Sequence, residues 1–191
     1  MDKAIQRKQV LDHLNNMEKA EHQQKSRVIV GRLMKDPAFQ QAGTVGVTVS
    51  AFPEVDTHEL IQACWEAGKR VAVPKCWRKD RTMDFYALTN FNQLETVYMH
   101  LKEPKVEETV RLEADDIDLL IVPGVVYTRE GYRIGFGGGY YDRYLATYNG
   151  AAQSLAFDVQ LADRILVEPH DIPVDAIHTE SESIAIGKVS G

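Results

Sequence analysis

Cysteine is scarce in this sequence, and the two that occur among its 191 residues, Cys64 and Cys76, exclude several classes of protein. Two cysteines cannot build the disulfide framework of a small secreted domain, and neither belongs to a CxxC pair or to the cysteine–histidine spacing of a zinc site. The six histidines are scattered without ligand spacing, and none is favoured as a general base. We expect both cysteines to be ordinary buried or half-buried thiols.

Long apolar runs are also missing. No stretch approaches the roughly 18 apolar residues that a membrane-spanning helix needs. The N-terminal segment MDKAIQRKQVLDHL is charged along its length and lacks the apolar core of a secretory signal. These absences predict a cytoplasmic protein without a membrane partner.

An excess of positive charge is absent as well. Lysine and arginine number 22 against 28 aspartates and glutamates, the formal net charge is -6, and the two signs are interspersed. Binding a nucleic-acid backbone calls for a basic surface, so no nucleic-acid partner is expected. The length fits a single domain over residues 1–191, and we expect a monomer that acts on a small molecule.

The first half of the chain predicts three helices and two strands from its hydrophobic periodicity. The helices are predicted over residues 2–24, 26–35 and 56–68, and the strands over residues 44–52 and 70–74. Pro37 marks the end of the second helix and Gly68 that of the third. The strand–helix–strand order of residues 44–74 predicts two parallel strands.

The second half predicts five further strands and one helix. The strands are predicted over residues 83–88, 117–123, 154–157, 175–178 and 183–186, the helix over residues 140–148, and a loop over residues 90–114. Apart from Asp118, the run IDLLIVP is apolar, which is typical of a central strand covered on both faces. Alternating strands and helices predict an α/β fold, a three-layer domain with a mostly parallel central sheet, in which ligands bind beyond the carboxyl ends of the strands.

The chemistry concentrates in residues 133–143, RIGFGGGYYDR, which lead into the predicted helix. Successive glycines let backbone N–H groups converge on an anion, and the helix N-terminus behind them adds partial positive charge. Arg133 and Arg143 can bind phosphate oxygens, and Asp142 is a hard oxygen ligand suited to Mg²⁺. The glycines alone would fit a tight turn with core tyrosines equally well. The combination favours a phosphate site.

Two common phosphate-binding motifs do not fit this segment. A Walker A loop ends in Gly-Lys-Ser or Gly-Lys-Thr, whereas Gly139 is followed by Tyr140 and Tyr141. A Rossmann GxGxxG motif that starts at Gly135 requires glycine at the position of Tyr140. The residues therefore support neither a P-loop NTPase nor a dinucleotide oxidoreductase.

The longer string of residues 133–145, RIGFGGGYYDRYL, resembles the signature of the 5-formyltetrahydrofolate cyclo-ligases, also called 5,10-methenyltetrahydrofolate synthetases. Further residues extend the resemblance over nearly the whole chain: Lys3, Arg7, the segment EVDT at residues 54–57, Glu103 with Pro104, Pro123 with Gly124, and Asp171. The resemblance implies an enzyme that uses ATP and Mg²⁺ to convert 5-formyltetrahydrofolate into 5,10-methenyltetrahydrofolate, with release of ADP and phosphate. It also implies a fold similar to the NagB/RpiA/CoA-transferase architecture.

The resemblance implies a role for individual residues of the chain. ATP would be bound by Lys3, Arg7, Arg133, Ile134, Gly135, Phe136, Gly137, Gly138, Gly139, Tyr140 and Tyr141. The folate would be bound by Val49, Glu54, Phe136, Gly137, Gly138, Gly139 and Tyr140, the metal by Asp142 and Asp171, and the catalytic residues would be Arg133, Tyr140 and Asp142. Some relatives carry basic residues at positions 136 and 138, so the side-chain roles there do not transfer.

Without the resemblance, plainer interpretations compete with these roles. Lys3 and Arg7 would form a solvated face of a helix, Asp171 would stabilise a turn, and Glu54 would lie near a helix N-terminus. Trp77, in a charged stretch, is predicted to lie in an exposed loop. Two other functions also remain open for the phosphate-binding segment, a sugar-phosphate isomerase that needs no ATP and a non-catalytic nucleotide-binding regulator.

Overall fold

Strands and helices contribute similar shares of the regular structure. The computed structural model describes residues 2–98 and 101–187. The strands in these ranges are β1 (Thr44–Gly46), β2 (Arg70–Trp77), β3 (Thr82–Leu88), β4 (Leu94–Tyr98), β5 (Leu101–Pro104), β6 (Val110–Leu112), β7 (Leu119–Ile121), β8 (Val126–Tyr127), β9 (Arg133–Ile134), β10 (Ala151–Leu155), β11 (Ala176–His178) and β12 (Ser183–Ala185).

The central sheet is mostly parallel. Eight of the described strands join in the order β12-β11-β10-β7-β1-β2-β3-β6. Strands β11, β10, β7, β1 and β2 run parallel to one another. The edge strands β12 and β6 and the adjoining strand β3 are antiparallel to their neighbours. Strands β4–β5 and β8–β9 form separate antiparallel pairs. The predicted α/β fold with a mostly parallel central sheet is confirmed.

Helices cover both faces of this sheet. They are α1 (Lys3–Asn15), α2 (Lys19–Met34), α3 (Pro37–Gln41), α4 (His58–Glu66) and α5 (Tyr140–Leu145). Along β7, Leu119 and Ile121 belong to a core that includes Leu33 of α2 and Leu60 of α4, whereas Leu120 belongs to a second core with Leu145 of α5. This alternation is the two-residue period of a strand. Burial of each leucine side chain stabilises the folded state by roughly 1.5–3 kcal/mol. The molecule therefore has the predicted three layers.

The first two helices begin and end at other residues than predicted. The sequence predicts one helix over residues 2–24, but α1 ends at Asn15 and α2 begins at Lys19. The chain turns after α1, where the N–H of Asn16 donates to Asp12 O at 3.2 Å. The turn lets α2 lie along the sheet with Ile29 and Leu33 fully buried. Helix periodicity continues on both sides of such a turn, so the pattern alone does not locate it.

The predicted loop over residues 90–114 is wrong. This region contains the hairpin β4–β5 and the edge strand β6, which pairs with β3. Most residues of these three strands are exposed or half-buried. The hairpin and the edge strand therefore lack the alternation of buried and exposed residues that reveals a strand in the sequence.

Two further strand boundaries differ from the prediction. Strand β1 ends at Gly46 rather than at residue 52, and only the N–H of Val47 still donates to Ala72 O, at 2.9 Å. Strand β2 extends to Trp77 because it forms a hairpin with β3, so Trp77 lies at a strand end rather than in a loop. Among the described residues, none of the helices has the length and apolar character needed to cross a bilayer.

Candidate active site

The glycine-rich segment forms a loop between the short pair β8–β9 and α5. Gly139 is the N-cap of α5 and has a left-handed backbone with φ 75°. Gly137 has φ 102°, another conformation that side chains of L-residues disfavour. Two of the glycines are thus required by the path of the loop, and the path delivers the backbone to the N-terminus of a helix, where an anion is favoured.

A cavity of about 250 Å³ lies against this loop. Its lining combines the predicted ATP-binding and metal-binding residues with two others: Lys3, Arg7, Cys76, Pro123, Arg133, Ile134, Gly135, Phe136, Gly137, Gly138, Gly139, Tyr140, Tyr141, Asp142 and Asp171. The structure therefore brings Lys3 and Arg7 together with the loop and Asp171, which follow them in the sequence by more than a hundred positions.

Ion pairs hold the positive side chains of this cavity in place. Arg133 is nearly buried, with 6% of its side chain exposed, and its Nη2 lies 3.1 Å from Oδ1 of Asp142. Lys3 Nζ lies 3.9 Å from Oδ2 of Asp171, and Nε of Arg7 donates to Gly135 O at 2.8 Å. Lys3 and Arg7 lie one turn apart on α1, so one helix face delivers both charges to the loop.

Two buried polar atoms at the cavity have no hydrogen-bond partner among the described residues. They are Nε of Arg133 and the hydroxyl of Tyr141. An unpaired buried polar group costs about 1–3 kcal/mol, and burial also raises the pKa of Tyr141 well above its ordinary value. Both atoms are donors and both residues line the same cavity, so an anionic or carbonyl oxygen bound there would satisfy them.

The cavity also carries a set of metal-ligand atoms. One ligand atom each from Asp142, His170 and Asp171 lie within 4.8 Å of one another. Two carboxylates suit Mg²⁺, which is bound through oxygen and keeps several waters. The predicted pair of Asp142 and Asp171 is thus brought together, and the structure adds His170 to it.

Glu54 lies in a second cavity, of about 200 Å³, between α2 and the segment that follows β1. Its Oε2 accepts the N–H of Ala51 at 3.0 Å, and burial raises the pKa of its carboxyl group. His22, which sequence reasoning did not single out, lines the same cavity, and its Nε2 lies 2.7 Å from Glu54 O. The rings of His22 and Phe52 are 4.9 Å apart, so the cavity offers an aromatic wall beside a carboxylate.

The predicted folate-binding residues are divided between three places. Glu54 lies in this second cavity, and residues 136–140 line the loop cavity. Val49 is 8% exposed and packs in the core together with residues of α2 and α4. The structure thus assigns Glu54 and residues 136–140 to different cavities, which share no lining residue.

Comparison with known proteins identifies the family. The family model of the 5-formyltetrahydrofolate cyclo-ligases matches residues 1–180. The 5-formyltetrahydrofolate cyclo-ligase of Escherichia coli (strain K12) is 37% identical over 156 residues, which cover 79% of this chain and 85% of that protein. This chain belongs to the 5-formyltetrahydrofolate cyclo-ligase family. The predicted family is confirmed.

Other relatives agree in sequence and in structure. A probable 5-formyltetrahydrofolate cyclo-ligase of Caenorhabditis elegans is 28% identical over 183 residues, with 90% of this chain and 89% of that protein covered. The structure of Aquifex aeolicus 5,10-methenyltetrahydrofolate synthetase superposes with a TM-score of 0.87 at 30% identity, covering 100% of this chain and 96% of the other. The fold is therefore that of the cyclo-ligase family, while the broader name NagB/RpiA/CoA-transferase-like stays a prediction.

The candidate site includes contacts that the sequence did not reveal. Arg81, on the turn between β2 and β3, donates from Nη1 to Gly138 O at 3.2 Å, and Arg143 donates from Nη1 to Asp80 O at 2.9 Å. Glu103 of β5 accepts the N–H of Cys76 at 2.9 Å, which fixes the β4–β5 hairpin beside the loop cavity. In the sequence, only the charged stretch near Trp77 indicates this turn. That stretch does not predict which residues the turn contacts.

Proposed function

We propose that the protein is an ATP-dependent ligase that cyclises 5-formyltetrahydrofolate to 5,10-methenyltetrahydrofolate and releases ADP and phosphate. The observation that carries the proposal is the loop cavity, where the signature residues 133–142 meet Lys3, Arg7 and Asp171 in a chain of the cyclo-ligase family. The relatives named after this activity support the same reaction here.

The reaction needs ATP because the substrate is unreactive. A formamide carbonyl is a poor electrophile, and its oxygen cannot leave carbon as oxide. Transfer of the γ-phosphoryl group to the formyl oxygen gives an activated iminium carbon, N10 attacks that carbon, and the oxygen leaves as part of inorganic phosphate. The protein chiefly has to align the formyl oxygen with the γ-phosphorus and to neutralise charge.

The loop cavity offers groups suited to that task. The backbone of residues 135–139 and the side chains of Lys3, Arg7 and Arg133 would bind the triphosphate, with Arg133 contacting the phosphoryl group that is transferred. Asp142 and Asp171 would hold Mg²⁺, which neutralises phosphate charge when it is bound. The fit rests on their carboxylate oxygens, which approach one another within 4.8 Å.

The second cavity offers groups suited to the pterin. The Glu54 carboxylate would accept two adjacent N–H groups of the ring, because a carboxylate presents two acceptor oxygens side by side. Tyr140 would position the formyl-bearing part of the substrate. Its ring packs directly on the loop, because a Cβ added to Gly138 would lie 2.6 Å from an atom of that ring. Val49 would act from the core behind this surface.

A direct assay tests the proposal. Protein, ATP, Mg²⁺ and 5-formyltetrahydrofolate should together give the absorbance of the methenyl product, and omission of ATP should abolish it. Nucleotide binding without product would indicate a regulator instead, and isomerisation of a sugar phosphate without ATP would indicate an isomerase. A monomeric state and a cytoplasmic location stay predictions.

A further inference from the structure

His170 lies where it can ligate a metal ion at the loop cavity. One of its ring nitrogens belongs to the group of ligand atoms, with carboxylate oxygens of Asp142 and Asp171, that lie within 4.8 Å of one another. Nε2 of His170 is 3.5 Å from Oδ1 of Asp171. These three residues come from the first turn of α5 and from a single turn in the C-terminal third of the chain, so folding alone brings them together.

The turn that carries His170 is fixed by its own hydrogen bonds. The N–H of Asp171 donates to Glu168 O at 3.0 Å, and the N–H of Glu168 donates to Oδ2 of Asp171 at 2.8 Å. One oxygen of Asp171 is thus engaged in the turn, and the other faces His170. Ligands held in this way need little reorganisation to meet a cation.

Asp142 is held in a similar manner. Arg133 engages Oδ1 of Asp142 at 3.1 Å, and a carboxylate has a second oxygen that can accept a further interaction. Asp142 is 32% exposed and His170 is 64% exposed, measured on their side chains. A cation can therefore reach this group from solvent.

We propose that His170 is a third protein ligand of the divalent cation, and that its nitrogen makes the site favour a first-row transition metal over Mg²⁺. The proposal rests on the proposed function for the presence of a cation at Asp142 and Asp171. Oxygen ligands alone suit Mg²⁺, whereas an imidazole nitrogen adds affinity that rises from Mn²⁺ through Fe²⁺ and Co²⁺ to Ni²⁺. Two carboxylates and one imidazole thus form a mixed ligand set.

A plainer interpretation is that His170 only pairs with nearby carboxylates at the surface. The chain supplies a matched control for it, because His58 is also an exposed histidine beside an aspartate, with Nδ1 at 2.9 Å from Oδ1 of Asp56. That pair does not belong to the metal-ligand group found among the described residues. If surface pairing were the whole role of His170, the two histidines would behave alike.

Metal binding without nucleotide or folate tests the proposal. Calorimetric titrations with CoCl₂ and with MgCl₂, and Mn²⁺ titrations followed by electron paramagnetic resonance, would compare the wild type with His170→Ala, His58→Ala and Asp142→Asn. We expect His170→Ala to weaken Co²⁺ and Mn²⁺ binding by at least about tenfold, by analogy with the loss of groups that support metal sites, and to weaken Mg²⁺ binding by a smaller factor. His58→Ala should match the wild type, and Asp142→Asn should lose all three ions.

Several results would overturn the proposal. They are Co²⁺ affinity in His170→Ala equal to that of the wild type, equal losses in His170→Ala and His58→Ala, full Co²⁺ binding in Asp142→Asn, or no Co²⁺ binding by the wild type. None of these titrations requires turnover, so cyclo-ligase activity measured separately on the wild type shows whether the proposed function stands when this ligand assignment fails. Because His170 is exposed, its substitution should leave the fold intact, and circular dichroism checks this.

Discussion

Arg133 and Asp142 form an ion pair across the glycine-rich loop, with Nη2 of the guanidinium 3.1 Å from Oδ1 of the carboxylate. The arginine comes from β9 and the aspartate from the first turn of α5, so the pair fastens the two ends of the loop together. The residue proposed to contact phosphate and the residue proposed to hold the metal are therefore positioned by each other. Changes at either one should affect both functions.

The first prediction concerns Asp142. Asp142→Asn should reduce kcat by about 100-fold or more, the scale of losing one group that stabilises charge in a transition state. An amide oxygen can still accept from Arg133, so we expect the fold to survive. Steady-state kinetics and thermal unfolding measure the two effects, and Asp12→Asn, at an exposed position on α1, is the control. Wild-type turnover in Asp142→Asn would remove Asp142 from the site.

The second prediction uses two half-buried tyrosines whose hydroxyl oxygens are buried. The hydroxyls of Tyr141 and Tyr144 both lack partners among the described residues, but only Tyr141 lines the loop cavity. Tyr141→Phe and Tyr144→Phe should each leave the free energy of unfolding unchanged or raise it, by up to about 1–3 kcal/mol, because an unsatisfied hydroxyl is removed. Only Tyr141→Phe should reduce kcat/KM for ATP or the folate. Equal kinetics in the two variants would mean that the Tyr141 hydroxyl contacts no ligand.

The third prediction separates backbone strain from ligand binding. Gly137 has φ 102° and Gly68, at the end of α4, has φ 76°, and a Cβ at either position would meet no atom within 4 Å. Gly137→Ala and Gly68→Ala should therefore each cost about 1–2 kcal/mol of unfolding free energy through strain alone. Gly137→Ala should in addition raise KM for ATP, because the loop relaxes away from the geometry that aims its N–H groups. Unchanged KM for ATP in Gly137→Ala would argue against nucleotide binding by this backbone.

The fourth prediction concerns the buried carboxyl of Glu54. Burial raises its pKa above the ordinary value of 4.5, so the folded protein binds this proton more tightly than the unfolded chain does. The contribution of Glu54 to stability is then greatest below pH 4.5, falls as pH rises from there to the raised pKa, and stays low at neutral pH. Glu54→Gln should therefore gain stability relative to the wild type as pH rises through this window.

The same variant should lose function. Glu54→Gln replaces one acceptor oxygen by a donor NH₂ group, so it should bind 5-formyltetrahydrofolate more weakly than the wild type at neutral pH. Chemical unfolding at several pH values and folate titration by fluorescence give the two measurements. The exposed Glu66, on α4, supplies the control Glu66→Gln. Folate affinity equal to wild type in Glu54→Gln would contradict the pterin-binding role.

The sequence predicts local features of the site well because they depend on neighbouring residues. Residues 133–143 carry glycines, arginines and Asp142 close together, and the structure places residues 133–142 in one cavity with Lys3, Arg7 and Asp171. Arg143, which the sequence predicts as a phosphate ligand, instead donates to Asp80 O outside the residues that line this cavity. The apolar run after Asp118 likewise predicts the central strand β7, whose three residues are all buried, because burial on both faces disfavours polar positions.

The sequence predicts distant relationships poorly. His170 and Asp142 come close to each other only in the folded chain. The spacing of residues in the sequence therefore does not predict His170 as a metal ligand. The contact of Arg81 with Gly138 O likewise depends on how the β2–β3 turn packs against the loop. The hairpin β4–β5 escapes detection for another reason, since Val97, Tyr98 and Leu101 are exposed and its pattern of apolar residues does not reflect burial.

The fate of the formyl oxygen tests the account most directly. 5-Formyltetrahydrofolate labelled with oxygen-18 in the formyl group, incubated with ATP, Mg²⁺ and the protein in unlabelled water, should give inorganic phosphate that carries one labelled oxygen for each methenyl product formed. This result is required if the formyl oxygen is phosphorylated and then leaves as phosphate. Unlabelled phosphate with the label released into water, or methenyl product formed without ATP, would contradict the proposed reaction.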